Sequence, residues 1–157
     1  MAYVLQPLLR IREMREDRAT GELTAAKREV LLAEEALAAR RHDLAAYEET
    51  KEERRDRIYD AIIGEVVSRE QIDLAAEGVA RIDEEGVLKA DNVKRAESEV
   101  VKRKEAESVA RANLNQAIKN RMKIDEHRSA WVVADAAEQE HRAEGELEDF
   151  TVRKLEI

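Results

Sequence analysis

Three histidines, His42, His127 and His141, are the side chains best suited to hold a metal or move a proton. They stand far apart on stretches that read as helix, and no His-Glu-x-x-His pair is formed. With no cysteine, neither a thiolate zinc site nor a disulfide framework can be built. Gly21 stands alone in the first third, so there is no glycine-rich phosphate loop. Adjacent acids such as Glu34 and Glu35 read as a solvated helix face, because raised carboxyl pKa values need a concave pocket. No catalytic, cofactor or metal residues are assigned, and the chain is expected not to be an enzyme. The chemistry that remains is contact chemistry. Trp131, beside Val132 and Val133, makes a local apolar patch, and Tyr47 and Tyr59 offer either seam packing or a partner surface.

The elements that must position these groups are long helices. Leu23, Val30, Leu37 and Leu44 recur every seven residues, with Ala19, Ala26 and Ala33 at the small positions between them. That is a coiled-coil seam, large at a and small at d. The a positions weaken at Lys51 and recover at Ile58, and Tyr47 falls at d. Pro7 suits the first turn of a helix. Gly64 can end one in a left-handed conformation, and Ser68 with Gln71 makes a capping box that starts the next. The expected fold class is all-α: two long helices forming an antiparallel coiled-coil hairpin, the second helix longer, within a single domain of residues 1–157. Helix 1 is expected over about 7–62, a connection over about 63–68, helix 2 over about 69–144, and an acidic tail to 157. A short connection between long helices forces them antiparallel.

Helix 2 carries a looser seam through Val79, Val93, Ala96, Val100, Ala110, Leu114, Ala117, Ile124 and Trp131, polar at Arg103, Glu107 and Arg121. Acid-to-base pairs four residues apart support it: Glu77–Arg81, Glu85–Lys89, Asp91–Arg95, Glu99–Arg103, Glu107–Arg111 and Glu138–Arg142. Gly21, Gly78 and Gly86 each cost about 1 kcal/mol against alanine and read as bends, or as positions under little demand for rigidity. Residues from about Arg128 onward are expected to project past the first helix without an intrachain partner, with Trp131 exposed on that overhang.

Composition agrees with the coiled coil: 41% of the 157 residues are charged and 3% aromatic, with five glycines and one proline. The net charge of −8 argues against nucleic acid. Charge is uneven. From Asp135 onward eight acids face three bases, whereas residues 1–18 hold four arginines and three acids. No signal peptide is read at the start, and the longest apolar run, residues 130–134, is too short to enter a membrane.

The opening Tyr3-Val4-Leu5-Gln6-Pro7-Leu8-Leu9-Arg10-Ile11-Arg12, followed by Arg15-Glu16-Asp17-Arg18-Ala19, resembles the start of type III secretion central stalk proteins. His127-Arg128-Ser129-Ala130-Trp131 resembles that family's His-x-x-x-Trp, and an acidic tail follows from Glu138 to Glu144. The resemblance is to the YscO branch, also called SctO, with terminal motifs most like those of the chlamydial members; the flagellar counterpart is FliJ. It implies a hairpin whose terminal end enters the hexameric secretion ATPase and whose loop end reaches the cytoplasmic ring of the export gate. It also implies, in some members, chaperone binding. The stalk would be cytoplasmic, at the inner-membrane face of the apparatus, and monomeric. By position, Leu5, Leu8, Leu9, Ile11 and Trp131 belong to the ATPase end. Tyr47, Tyr59, Ile62, Ile63 and Val67 belong to the export-gate end. The flagellar FliJ equivalent, which shares the architecture, is an alternative to the injectisome stalk, and two further rivals stand beside this reading. A scaffolding coiled coil would be a stable dimer, and a lipid-surface helix would need a basic polar face that the charge balance does not supply.

Overall fold

The computed structural model describes residues 3–155, and side chains from Tyr3 to Leu147. Helix α1 runs over Gln6–Asp60 and helix α2 over Arg69–Leu155, and the described residues contain no strand. The two helices pack as a hairpin with the second longer, as expected. Gln6 N–H donates to the Tyr3 carbonyl at 3.1 Å, so a turn precedes α1 and Pro7 sits in its first turn, where no amide donor is needed. At the other end Ile62 and Ile63 N–H both reach back to the Tyr59 carbonyl at 3.0 Å. Gly64 then takes φ 88°, a left-handed value that a side chain would resist. The capping box forms as read: Ser68 N–H donates to Gln71 Oε1 at 2.7 Å, and Gln71 N–H to Ser68 Oγ at 3.3 Å.

α2 does not stop near Glu144. It continues through Gly145 to Leu155, so the expected acidic tail is helical as far as it is described. A lone glycine costs a helix only about 1 kcal/mol and does not break it. Gly145 has nothing within 4 Å of where a Cβ would stand.

The chain divides into two compact units, a hairpin unit of Ala25–Ser108 and a terminal unit of Met1–Thr24 with Val109–Ile157. In the hairpin unit Val30, Tyr47, Val79, Ile82 and Val100 are buried, every one on the heptad seam. Pairs across the helices fix an antiparallel register. Arg41 reaches Glu97 at 2.8 Å, Lys51 reaches Asp83 at 3.1 Å, and Lys104 reaches Glu34 at 2.7 Å. Two polar seam positions are explained by these partners: Lys51 by Asp83, and Arg103 by Glu99 at 2.7 Å and Glu29 at 3.6 Å. Exposed pairs of this kind add little stability singly but choose between registers.

Gly78 and Gly86 are not bends. A Cβ on Gly86 would lie 3.0 Å from Tyr47 Cε1, and one on Gly78 would lie 3.1 Å from Ile58 Cδ1. Each glycine opens a hole in α2 that receives a large knob from α1. Gly21, by contrast, has nothing within 4 Å. The Tyr47 hydroxyl crosses the face of α2 at Gly86 and donates to the Ile82 carbonyl one turn earlier. Arg54 and Lys89 stand 5.5 and 5.9 Å from the centre of its ring.

Glu85 therefore turns across the helix pair to Arg54, at 2.8 Å, instead of pairing along α2 with Lys89 as read from spacing. That hydrogen bond holds the Glu85 carboxyl below its ordinary value and raises Arg54. A carboxyl depressed in the folded state adds stability above its unfolded pKa, and that stability is lost as pH falls through the folded value. Glu85→Gln is expected to flatten the acid limb of hairpin-unit stability below the ordinary carboxylate range and to leave the neutral region's slope unchanged. Helicity followed through an acid titration checks this; an unchanged acid limb would remove Glu85 from the account.

Candidate partner-binding surfaces

In the terminal unit the turn before α1 brings Tyr3 back onto α2. Tyr3 is buried, its hydroxyl 2.9 Å from His127 Nδ1 and 3.5 Å from the Ile124 carbonyl. Its ring meets Trp131 at 5.4 Å between centroids, tilted by 49°. This corrects the reading of an exposed, unpartnered Trp131: the indole is half-buried under Tyr3. The unpartnered stretch begins one residue later, with Val132 and Val133 both exposed. From the sequence, Tyr3 belongs to the opening motif and carries no assigned role. The signal that could have found it is the turn that Pro7 forces on the residues before α1.

Leu9 is 1% exposed, the most deeply buried large side chain among the described residues. As the hub of the terminal unit it cannot also be a docking residue. Leu5 and Leu8 are half-buried, whereas Ile11 faces outward. Arg121, at a polar seam position, is held by both Glu16 and Asp125, and these carboxylates raise its pKa. Among the described residues, the accessible large apolar side chains of this unit are thus Val4, Ile11, Met14, Val109, Met122, Val132, Val133 and Leu147, of which Val4, Ile11, Met14, Val132 and Val133 lie toward its terminal end.

Tyr3→Ala is expected to shift Trp131 emission to the red, while Tyr3→Phe, which keeps the ring, leaves it nearly in place. Trp131 is the chain's single tryptophan, so tryptophan fluorescence reports this position alone. Equal spectra for wild type and Tyr3→Ala would contradict the packing of Tyr3 on Trp131.

In the hairpin unit, Tyr47 is also withdrawn from any partner: it is 5% exposed and hydrogen-bonded to Ile82. Of the residues assigned to the export-gate end, those at and beside the connection are the accessible ones. Ile63 is 71% exposed and Val66 fully so, Tyr59 is partly open, and Ile62 and Val67 are half-buried. Ile72 and Leu74, in the first turns of α2, are exposed as well and extend this surface. Val66, Ile72 and Leu74 are not among the residues expected there: Val66 and Leu74 lie off the seam and carry no periodic signal, while Ile72, seven residues before Val79, reads as seam.

Among the described residues no three His, Asp or Glu side chains converge as a metal-binding group. None of the described helices is long and apolar enough to cross a membrane.

A family model described as type III secretion protein YscO matches residues 5–153 of the chain. Among solved structures the chain is similar to CT670 from Chlamydia trachomatis, described as a proposed YscO homolog. That likeness has a TM-score of 0.74 at 19% identity and covers 99% of this chain and 94% of the other, so it speaks for the fold. No curated protein matches.

Proposed function

We propose that this chain, which belongs to the YscO family of type III secretion proteins, is the central stalk of a secretion ATPase complex. In this reading the terminal unit enters the hexameric ATPase and the hairpin unit's connection meets the export gate's cytoplasmic ring, on the cytoplasmic side of the inner membrane. Secretion chaperones are further candidate partners. The family match over nearly the whole chain carries the proposal. The chemistry supports it. The terminal unit offers an apolar surface at Ile11, Val132 and Val133 beside an α2 segment rich in acids. The end of α1 and the connection offer a separate one at Tyr59, Ile63 and Val66. Two chemically different surfaces, each on its own unit, suit a protein that holds two partners.

The stalk's work is mechanical and organisational. A seam whose polar positions are paired and whose large residues fill glycine holes resists local unwinding, so contacts made by a helix at one point constrain its neighbours. Hydrolysis would belong to the ATPase.

Binding separates the two surfaces. Val132→Asp with Val133→Asp is expected to weaken capture by the purified ATPase and spare binding to the soluble gate domain. Ile63→Asp with Val66→Asp is expected to do the reverse. Loss of both interactions from either double variant, with helicity intact, would sink the assignment of surfaces to partners.

A further inference from the structure

We propose that the terminal units of two copies of this chain bind each other, the outward face of α1's start on one copy receiving the outward face of α2 beyond Trp131 on the other. Two independent features point there. The first is an apolar stripe opposite the seam: Val4, Pro7, Ile11 and Met14 recur at helical spacing, with Val4 83%, Ile11 46% and Met14 69% exposed. Arg10, Arg15 and Arg18 border this stripe. Arg18 already bonds Glu22 at 2.9 Å on its own helix, but at the open rim.

The second feature is α2 beyond Trp131. Opposite the Trp131 side, Val133, Ala136, Ala137 and Ala143 share one face, with Glu140 and Glu144 set among them. Val133 is 71% exposed, and the alanines and both glutamates are also open to solvent. Small residues facing Ile11 and Met14 allow two helices to approach closely, and the acids meet the arginines. Lengths agree. Gln6 to Arg18 spans on the order of 18 Å and Trp131 to Leu155 on the order of 36 Å at the α-helical rise. Each copy carries both faces, so a two-fold pair satisfies both at once. An equivalent partner from another protein would need the same acidic, alanine-rich face; this chain already supplies it.

The association is electrostatic and weak, so the dilute chain is monomeric. Sedimentation of the full chain over a concentration series is expected to show a mass rising from 17.9 kDa toward twice that at low salt, and much less at high salt. R10E/R15E/R18E alone, and E140K/E144K alone, are each expected to weaken association at least about tenfold. Mixed together they are expected to recover it, because each then presents the charge the other lacks. Circular dichroism confirms that both variants stay helical. A wild type that remains monomeric at every concentration would overturn the proposal and hand this face to another protein. So would charge variants that associate like wild type, or a mixture that fails to recover. No ATPase is present in this experiment, so its outcome is independent of the stalk reading.

Discussion

Tyr47→Ala is expected to destabilise the hairpin unit by about 3–5 kcal/mol, the range for removing a buried aromatic. Tyr47 is the one aromatic buried in that unit, and its loss would empty the hole at Gly86 and leave the Ile82 carbonyl without the tyrosine hydroxyl. The same contact can be attacked from the other side. Gly86→Val would thrust a branched side chain at the Tyr47 ring, an overpacking expected to cost about 1–3 kcal/mol. In the Tyr47→Ala background that cost should vanish or reverse, because the added carbons then partly fill the void. Gly21→Ala serves as the control: with open space around it, the substitution should stabilise by about 1 kcal/mol. Chemical denaturation of the four variants of the cycle measures this coupling. Additive effects of Tyr47→Ala and Gly86→Val would contradict the knob-and-hole account.

The second large effect is expected at Leu9. Leu9→Ala should cost about 2–5 kcal/mol, and the loss should be felt in the terminal unit first. Leu9 and Tyr3 are that unit's buried large side chains, and the rest of its seam is small, as at Ala19, or only half-buried, as at Leu23, Leu114, Ile124 and Trp131. A thin core has no second layer to absorb a cavity. Hydrogen exchange should quicken over residues 6–24 and 109–131, with smaller changes over 25–108. Trp131 emission should move to the red as the unit loosens. Uniform destabilisation along the whole chain would mean that the two units unfold as one.

Much of this architecture was readable from residue spacing. The run Leu23, Val30, Leu37, Leu44 and its alanines named the seam, and Ser68 with Gln71 named the start of α2 to the residue. What spacing could not reach were contacts that depend on which α1 residue faces which α2 residue. Gly86 looks like a weak point until Tyr47 is known to lie over it. Glu85 has an acceptable partner in Lys89, four residues along, and only the register shows that Arg54 competes successfully. Trp131 falls on an overhang when the longer second helix is counted past a first helix that starts at Pro7, yet a single turn before Pro7 carries Tyr3 back to cover it. The candidate surfaces suffered from the same blindness. Apolar residues near a helix end were assigned to partners, but Leu9 and Tyr47 are consumed by the core, while Met14, Val66 and Leu74 stand open.

Polar seam residues followed a consistent rule. Lys51, Arg103 and Arg121 each found acids on the facing helix, Asp83, Glu29 and Glu16 respectively. Such pairs contribute modestly to stability at a solvated interface. Their larger effect is on register, since sliding one helix by a turn would set these charges against the wrong neighbours. One register keeps each exposed surface on a defined side of its helix, as the proposed stalk role requires.

The stalk reading is tested most directly by the ATP hydrolysis rate of the cognate type III secretion ATPase, measured with and without this chain at concentrations low enough to keep it monomeric. The wild type is expected to raise the rate, and the Val132→Asp, Val133→Asp variant to raise it less while remaining folded. An ATPase rate indifferent to the added wild-type chain, with the ATPase itself active and assembled, would contradict the central claim.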